Sequence, residues 1–296
     1  MKAPCAYLAT LRRFEPQSPS DAQKYGGAMP EAVSKGMSTQ QLKWHYWIHP
    51  NTSWFGSFAR NFLSPDIAIW PEDTDAEPQY FAWSSPHLND AATPEELADR
   101  STALKAIFDG AMYLAYGSSY FSPHLTSLTD SDDRHADFQP SGNYEPDVRA
   151  EPFSSRTIAD KTSRINDPFG HTVSHLLFLA RYDQVTKDLL KFVGVQRLTY
   201  VTLYAFTDWM NGGSWDDKRI AQEAGWSNAK FTDFSTTANN PAYLGPFCRH
   251  GGTSKPPKRP MPLAEAEDPM CKAAVAFLAE RGRTLNILQK WNALAQ

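Results

Sequence analysis

The residues able to do chemistry in this 296-residue chain gather in two short segments. The first is "RINDPFGHTVSHLL", residues 164–177, which holds His171 and His175 four positions apart, with Arg164 upstream. Residues at i and i+4 share a helical face, so both imidazoles can turn toward one metal ion. At about 100° per residue, Val173, Leu176, Leu177 and Ala180 form an apolar stripe, and the two histidines lie opposite it beside Phe178 and Tyr182. A third ligand would have to come through the fold, from Asp167, His250 or Glu265. The zinc-protease form of such a pair carries Glu directly after the first His; Thr172 stands there in this chain.

The second segment is "NNPAYLGPFCRHGGTSKPPKRPMPLAEAE", residues 239–267. Glycines on both sides of Arg249 and His250 allow close backbone approach. An Arg–His pair on such a loop suits phosphate or carboxylate, and Asn239 and Asn240 can orient it. The plainer alternative is a structural clasp, in which Glu265 takes a bidentate hydrogen bond from Arg249 and ties the loop to the C-terminal helix. Cys248 is a weaker nucleophile candidate, because no base partner stands at a recognisable spacing.

Arg164 and His171 together read R-x6-H, which resembles the R-x(4–6)-H motif of the HEPN superfamily of small helical bundles. Many of its members are metal-independent ribonucleases of defence or toxin systems; others bind nucleotides or are inactive partners. The resemblance implies that Arg164 holds a scissile phosphate and that His171 moves a proton. It also implies a homodimer that joins two motifs. The likeness spans fourteen residues. Ile165 replaces the polar residue the family favours after Arg, and Pro168 interrupts the segment. The C-terminal pattern Ala238-Asn239, Gly245, Arg249-His250-Gly251 and Pro260-Met261-Pro262-Leu263-Ala264-Glu265-Ala266 is similar to a group of uncharacterised bacterial proteins ending in AN…G…RHG…PMxLxEA. That likeness implies kinship and no mechanism.

The rest of the chain narrows the classes. Net charge is −4, so bulk charge gives no argument for a nucleic-acid coat or an anionic membrane surface. "KPPKR", 255–259, is a local basic stretch that also suits a solvated loop. Cys5, Cys248 and Cys271 have no C-x-x-C spacing, which argues against a disulfide framework or a cysteine zinc site. No phosphate loop, dinucleotide fingerprint or nucleophile elbow is present, and no cofactor is expected. The polar N-terminus and the lack of ~18 consecutive apolar residues predict no membrane contact and a cytoplasmic location.

Elements that would position these residues follow from pattern. Residues 1–40 read as an irregular lead. Strands at 42–49, 66–70 and 79–83 predict a small antiparallel sheet, joined in the 41–125 stretch by a helix from the Thr93 cap and Pro94 to Gly117. Residues 126–160 read as a polar linker. Its Asp130, Asp132 and Asp133 lack the glycine and bidentate Glu of a calcium loop. The 161–296 half reads as helical, with helices over 171–192, 198–210 and 216–225, and one from an Asp268 cap with Pro269 in its first turn and a possible bend at Gly282. The fold class is α+β, helix-dominated with a small N-terminal antiparallel sheet.

The leading functional expectation is a bacterial-type protein that engages RNA or a nucleotide, with Arg164 and His171 as the working pair and Arg249 and His250 as an accessory anion site. A non-enzymatic helical interaction module is the alternative, with the aromatic sheet as recognition surface and the Arg249 loop as scaffold. A His-ligated metalloenzyme using His171 and His175 is the third.

Overall fold

A computed structural model describes residues 42–50, 54–71, 80–130, 138, 140, 142–158, 171–249 and 258–294. Arg164, Asp167, His250, the 1–40 lead, Asp132, Asp133 and Lys255 lie outside them.

The architecture is helix-dominated α+β. Strands β1 (Trp44–Ile48), β2 (Ala68–Pro71), β3 (Phe81–Ser84) and β4 (Leu125–Asp130) form one antiparallel sheet in the order β2-β3-β1-β4. β1 is central, pairing His45 with Ser84 of β3 and with Thr129 of β4. Side chains alternate along a strand. Trp44 and Ile48 therefore enter the main core, while His45 turns to the other face and meets Trp47 at 5.5 Å and Trp70 at 5.7 Å. β4 falls where a polar linker was expected. Its "LTSLTD" buries Leu128 and Thr129 and leaves Thr126 and Ser127 outside, so composition concealed the strand.

Helix α1 (Phe55–Asn61) has no counterpart in the sequence reading. It carries Phe55 and Phe58, and Phe62 follows its end; Phe58 stacks on Phe62 at 5.0 Å. Helix α2 (Pro94–Tyr116) starts as expected. The Thr93 hydroxyl accepts the Glu96 N–H at 3.1 Å, and the Glu96 carboxylate reaches back to the Ala92 N–H at 2.9 Å. Gly117, at φ +59°, ends it.

The expected helix over 171–192 is two helices, α3 (Thr172–Tyr182) and α4 (Gln184–Gln196). Asp183, at φ −130° and ψ 110°, separates them. Its carboxylate caps α4 by accepting the Thr186 N–H at 3.0 Å, so a residue read as helical interior is an N-cap. Helices α5 (Tyr200–Gly212), α6 (Asp217–Glu223), α7 (Asn228–Ala238), α8 (Pro241–Leu244), α9 (Leu263–Thr284) and α10 (Ile287–Leu294) complete the body. α9 begins at Leu263 rather than at an Asp268 cap, which leaves Pro269 inside it. The N–H that proline lacks is the one the Glu265 carbonyl would accept. α9 runs on through Gly282 to Thr284.

One buried apolar cluster runs from Trp44 of the sheet to Trp291 of α10. α2 crosses α4 at backbone contact: a Cβ on Gly110 would lie 2.0 Å from the Leu190 carbonyl oxygen, and one on Gly194 would lie 1.9 Å from that of Ala106. Among the described residues no helix is long and apolar enough to cross a membrane.

Candidate functional site

The Arg249 loop is built on α5 and α7. After α7 ends, the Asn240 side chain accepts the Ala242 N–H at 2.9 Å and starts α8. Gly245, at φ +60°, turns the chain into a 3-10 turn over Gly245–Phe247. The Arg249 N–H then returns to the Ala238 carbonyl at 3.2 Å and closes the loop. Its guanidinium lies 4.4 Å above the Tyr204 ring and donates to Asp208 at 2.8 Å.

The clasp therefore has a different partner from the one expected. Arg249 closes on Asp208 of α5, whereas Glu265 pairs with Lys230 of α7 at 2.7 Å. Tyr204 and Asp208 are one helical turn apart, so a single guanidinium stacks on one and pairs with the other. Of the four residues expected to bind a ligand, Arg249 closes the loop on Ala238, the residue before Asn239, and His250 lies outside the described residues. Asn239 donates to the Ser235 carbonyl at 2.9 Å, and its own side-chain oxygen is buried without a hydrogen-bond partner among the described residues. Asn240 serves as the α8 cap. On the outer side of the loop Phe247 is 79% exposed and Tyr243 44%. Lys258 and Arg259 of the basic stretch are exposed as well.

His171 and His175 have different surroundings. His171 is the N-cap of α3 at φ −125°, and its ring packs 5.6 Å from Phe58 and 5.7 Å from Phe62. Its Nδ1 accepts the Ser174 backbone N–H at 3.5 Å, while the Ser174 hydroxyl donates to the Leu63 carbonyl at 2.5 Å. With Nδ1 accepting, the ring proton sits on Nε2. His175 points elsewhere: its Nε2 lies 3.1 Å from where a Cβ on Gly282 of α9 would be. Burial pushes both histidines down to about 4, so both are neutral at pH 7. The sequence reading gave α3 one apolar face, but neighbours cover it on nearly every side from Val173 to Ala180. Among the described residues no three His, Cys, Asp or Glu side chains come together as a metal site.

Two polar clusters escaped the sequence reading. Asp66, fully buried, accepts from His87 Nε2 at 3.1 Å and pairs with Arg181 of α3. Arg181 also donates to the carbonyls of Ser154 and Arg156 at 2.7 and 2.8 Å. The Ser154 hydroxyl stands 3.2 Å from His87 Nδ1, which suggests a Ser-His-Asp set. That nitrogen, however, already accepts the Ser154 backbone N–H at 3.1 Å, so its lone pair is occupied and cannot take the hydroxyl proton. The second cluster is Lys105 and Asp109 of α2 with Tyr120 and Ser122. Lys105 Nζ meets both Asp109 oxygens at 2.6 Å and the Ser122 hydroxyl at 2.9 Å. Tyr120 and Ser122 each donate to Asp109 at 2.6 Å. Burial lowers Lys105 and Asp109 partly offsets it; burial and the same carboxylate push Tyr120 well above its ordinary value. Asp109 thus receives four short hydrogen bonds, which is a closed staple rather than an open reaction centre. The i, i+4 spacing of Lys105 and Asp109 inside an apolar helix was the available signal for this cluster. The Asp66 cluster joins positions 21 to 115 residues apart and leaves no local trace.

Comparison with family models, with curated proteins and with solved structures finds no match to this chain.

Proposed function

We propose that the protein is a non-enzymatic helical interaction module that offers the 241–249 loop to a macromolecular partner. The observation that carries this reading is Phe247, 79% exposed on a loop pinned by Arg249 to Tyr204 and Asp208. An aromatic ring held in water on a rigid support is costly alone and useful in a complex, because aromatic anchors dominate interface energetics and a pre-ordered loop loses little entropy on binding. Arg249 is then scaffold and not ligand contact. The outer aromatics of the sheet, Trp47 and Trp70, are half-buried and less available than Phe247. A photo-reactive phenylalanine analogue placed at 247 should crosslink one defined partner in the cells that make the protein, and the same analogue at Leu288 should not. Equal or absent crosslinking at both sites would end the reading.

A second reading, engagement of RNA or a nucleotide in a HEPN-like manner by a homodimer, is favoured by one observation. His171 stands at the N-terminal end of a helix, where the R-x6-H resemblance puts it. Its accepting nitrogen already serves as the α3 cap, which favours binding without cleavage. Cleavage of single-stranded RNA by the wild type and its loss in His171→Asn, which keeps a capping side chain, would restore the catalytic version.

A further inference from the structure

Beyond the loop, a second feature has the makings of a site. Residues 142–158 run as a strap across α2 and α4 and are held largely by polar contacts. The Asp147 N–H donates to Asp99 at 2.7 Å, Lys187 pairs with Glu151 at 2.7 Å, and Lys191 donates to the Ala150 carbonyl at 2.7 Å. Where the strap leaves α4 it does not close on the helix. A cleft of about 300 Å³ remains, lined by Val148 and Arg149 of the strap and by Asp188, Lys191, Phe192, Val195 and Gln196 of α4.

We propose that this cleft binds a small organic anion, a carboxylate or phosphate on an aromatic or apolar body, with Lys191 and Arg149 as its cationic contacts and Phe192, Val195 and Val148 as its wall. Lys191 is only 9% exposed, yet among the described residues its ammonium has a single acceptor, the Ala150 carbonyl. An ammonium carries three donors, and a buried charge is stable only when paired and hydrogen-bonded. Burial lowers the lysine, and Glu151 offsets this in part; that carboxylate is bonded to Lys187. A carboxylate or phosphate oxygen in the cleft would supply further acceptors and a counter-charge. Arg149 sits at the rim, its guanidinium oriented by Asp147 at 2.9 and 3.1 Å and otherwise open to solvent. Asp188, the acid in the wall, is engaged by Gln184 at 2.7 Å and sets a limit on how much negative charge the site accepts. The apolar wall excludes a bare, fully hydrated ion in favour of one with an apolar body. Val195, 52% exposed, is the part of the wall such a body would cover.

Calorimetric titration of the full chain with phenyl phosphate, benzoate and inorganic phosphate tests this. At least one aromatic anion should bind at a single site, with inorganic phosphate roughly tenfold weaker or more, the scale of one lost apolar contact. Arg149→Glu, at an exposed position that leaves folding intact, and Lys191→Met should each weaken binding by about tenfold or more, as expected for loss of a charge-assisted hydrogen bond. No saturable binding of either aromatic anion to the wild type, or binding unchanged by Arg149→Glu, would overturn the proposal.

Discussion

Gly110 of α2 and Gly194 of α4 bring two helix backbones into direct contact, each lying against a carbonyl oxygen of the other helix. Backbone cannot yield as a side-chain tip can. Gly110→Ala or Gly194→Ala should therefore destabilise the fold by roughly 3 kcal/mol or more, despite the better helix propensity of alanine. Thermal melts of the two variants check this; an unchanged or raised Tm would show that the helices can separate without loss.

Arg249 and Asp208 are both partly open to solvent, so their pair contributes modestly. A double-mutant cycle of Arg249→Ala and Asp208→Ala should give a coupling of about 0.5–1 kcal/mol. Arg249→Ala alone should cost about 1–2 kcal/mol, because the stack on Tyr204 is lost too. Glu265→Ala should show no coupling to Arg249, and its own effect should vanish in a Lys230→Ala background.

Acid should weaken the fold through the α3 histidines. Both are held near 4 when folded, below the value of ~6.5 of an unfolded chain. Between those values the unfolded state binds more protons, so stability is full above pH ~6.5 and falls as pH drops toward 4. Each histidine contributes on the order of 2–3 kcal/mol to that loss. Urea midpoints from pH 8 to pH 4.5 should follow this slope, and His171→Asn, which keeps a cap without titrating, should reduce it. An unaltered slope would place the acid sensitivity elsewhere.

The Lys105–Asp109 staple should behave as a buried pair does. Lys105→Met leaves the Asp109 charge buried without its counterion and should cost about 3–5 kcal/mol. Adding Asp109→Leu should restore much of that loss, since the charge that needed compensation is gone. Chemical denaturation of the single and double variants separates this from simple loss of packing, in which the losses would add.

What could be read in the sequence divides along physical lines. The three aromatic strands and the capped start of α2 were legible because their signals are local: alternation, a Thr cap, a Pro at the first helical position. The break at Asp183 was hidden because its cap acts inside a continuous apolar pattern and is fixed by Arg281, whose nitrogens approach it at 2.7 and 2.5 Å from far along the chain. The sequence marks Arg249 as half of a clasp but does not name its partner, which is Asp208 and not Glu265. The choice between Asp208 and Glu265 depends on how α5 and α9 are placed, which no spacing records. The strap cleft leaves no trace in the sequence for the same reason, since Lys191 on α4 and Arg149 on the strap gain meaning only when the strap lies along the helix and both line one cleft.

The crossing of α2 and α4 also bears on how quickly the chain can reach its native form. It joins residues near 106–110 to residues near 190–194, and neither helix can bury its glycine face until the intervening polypeptide has been drawn round. Assembly is then governed by the search for a distant mate rather than by helix growth, and refolding should be slower than its helical content alone suggests.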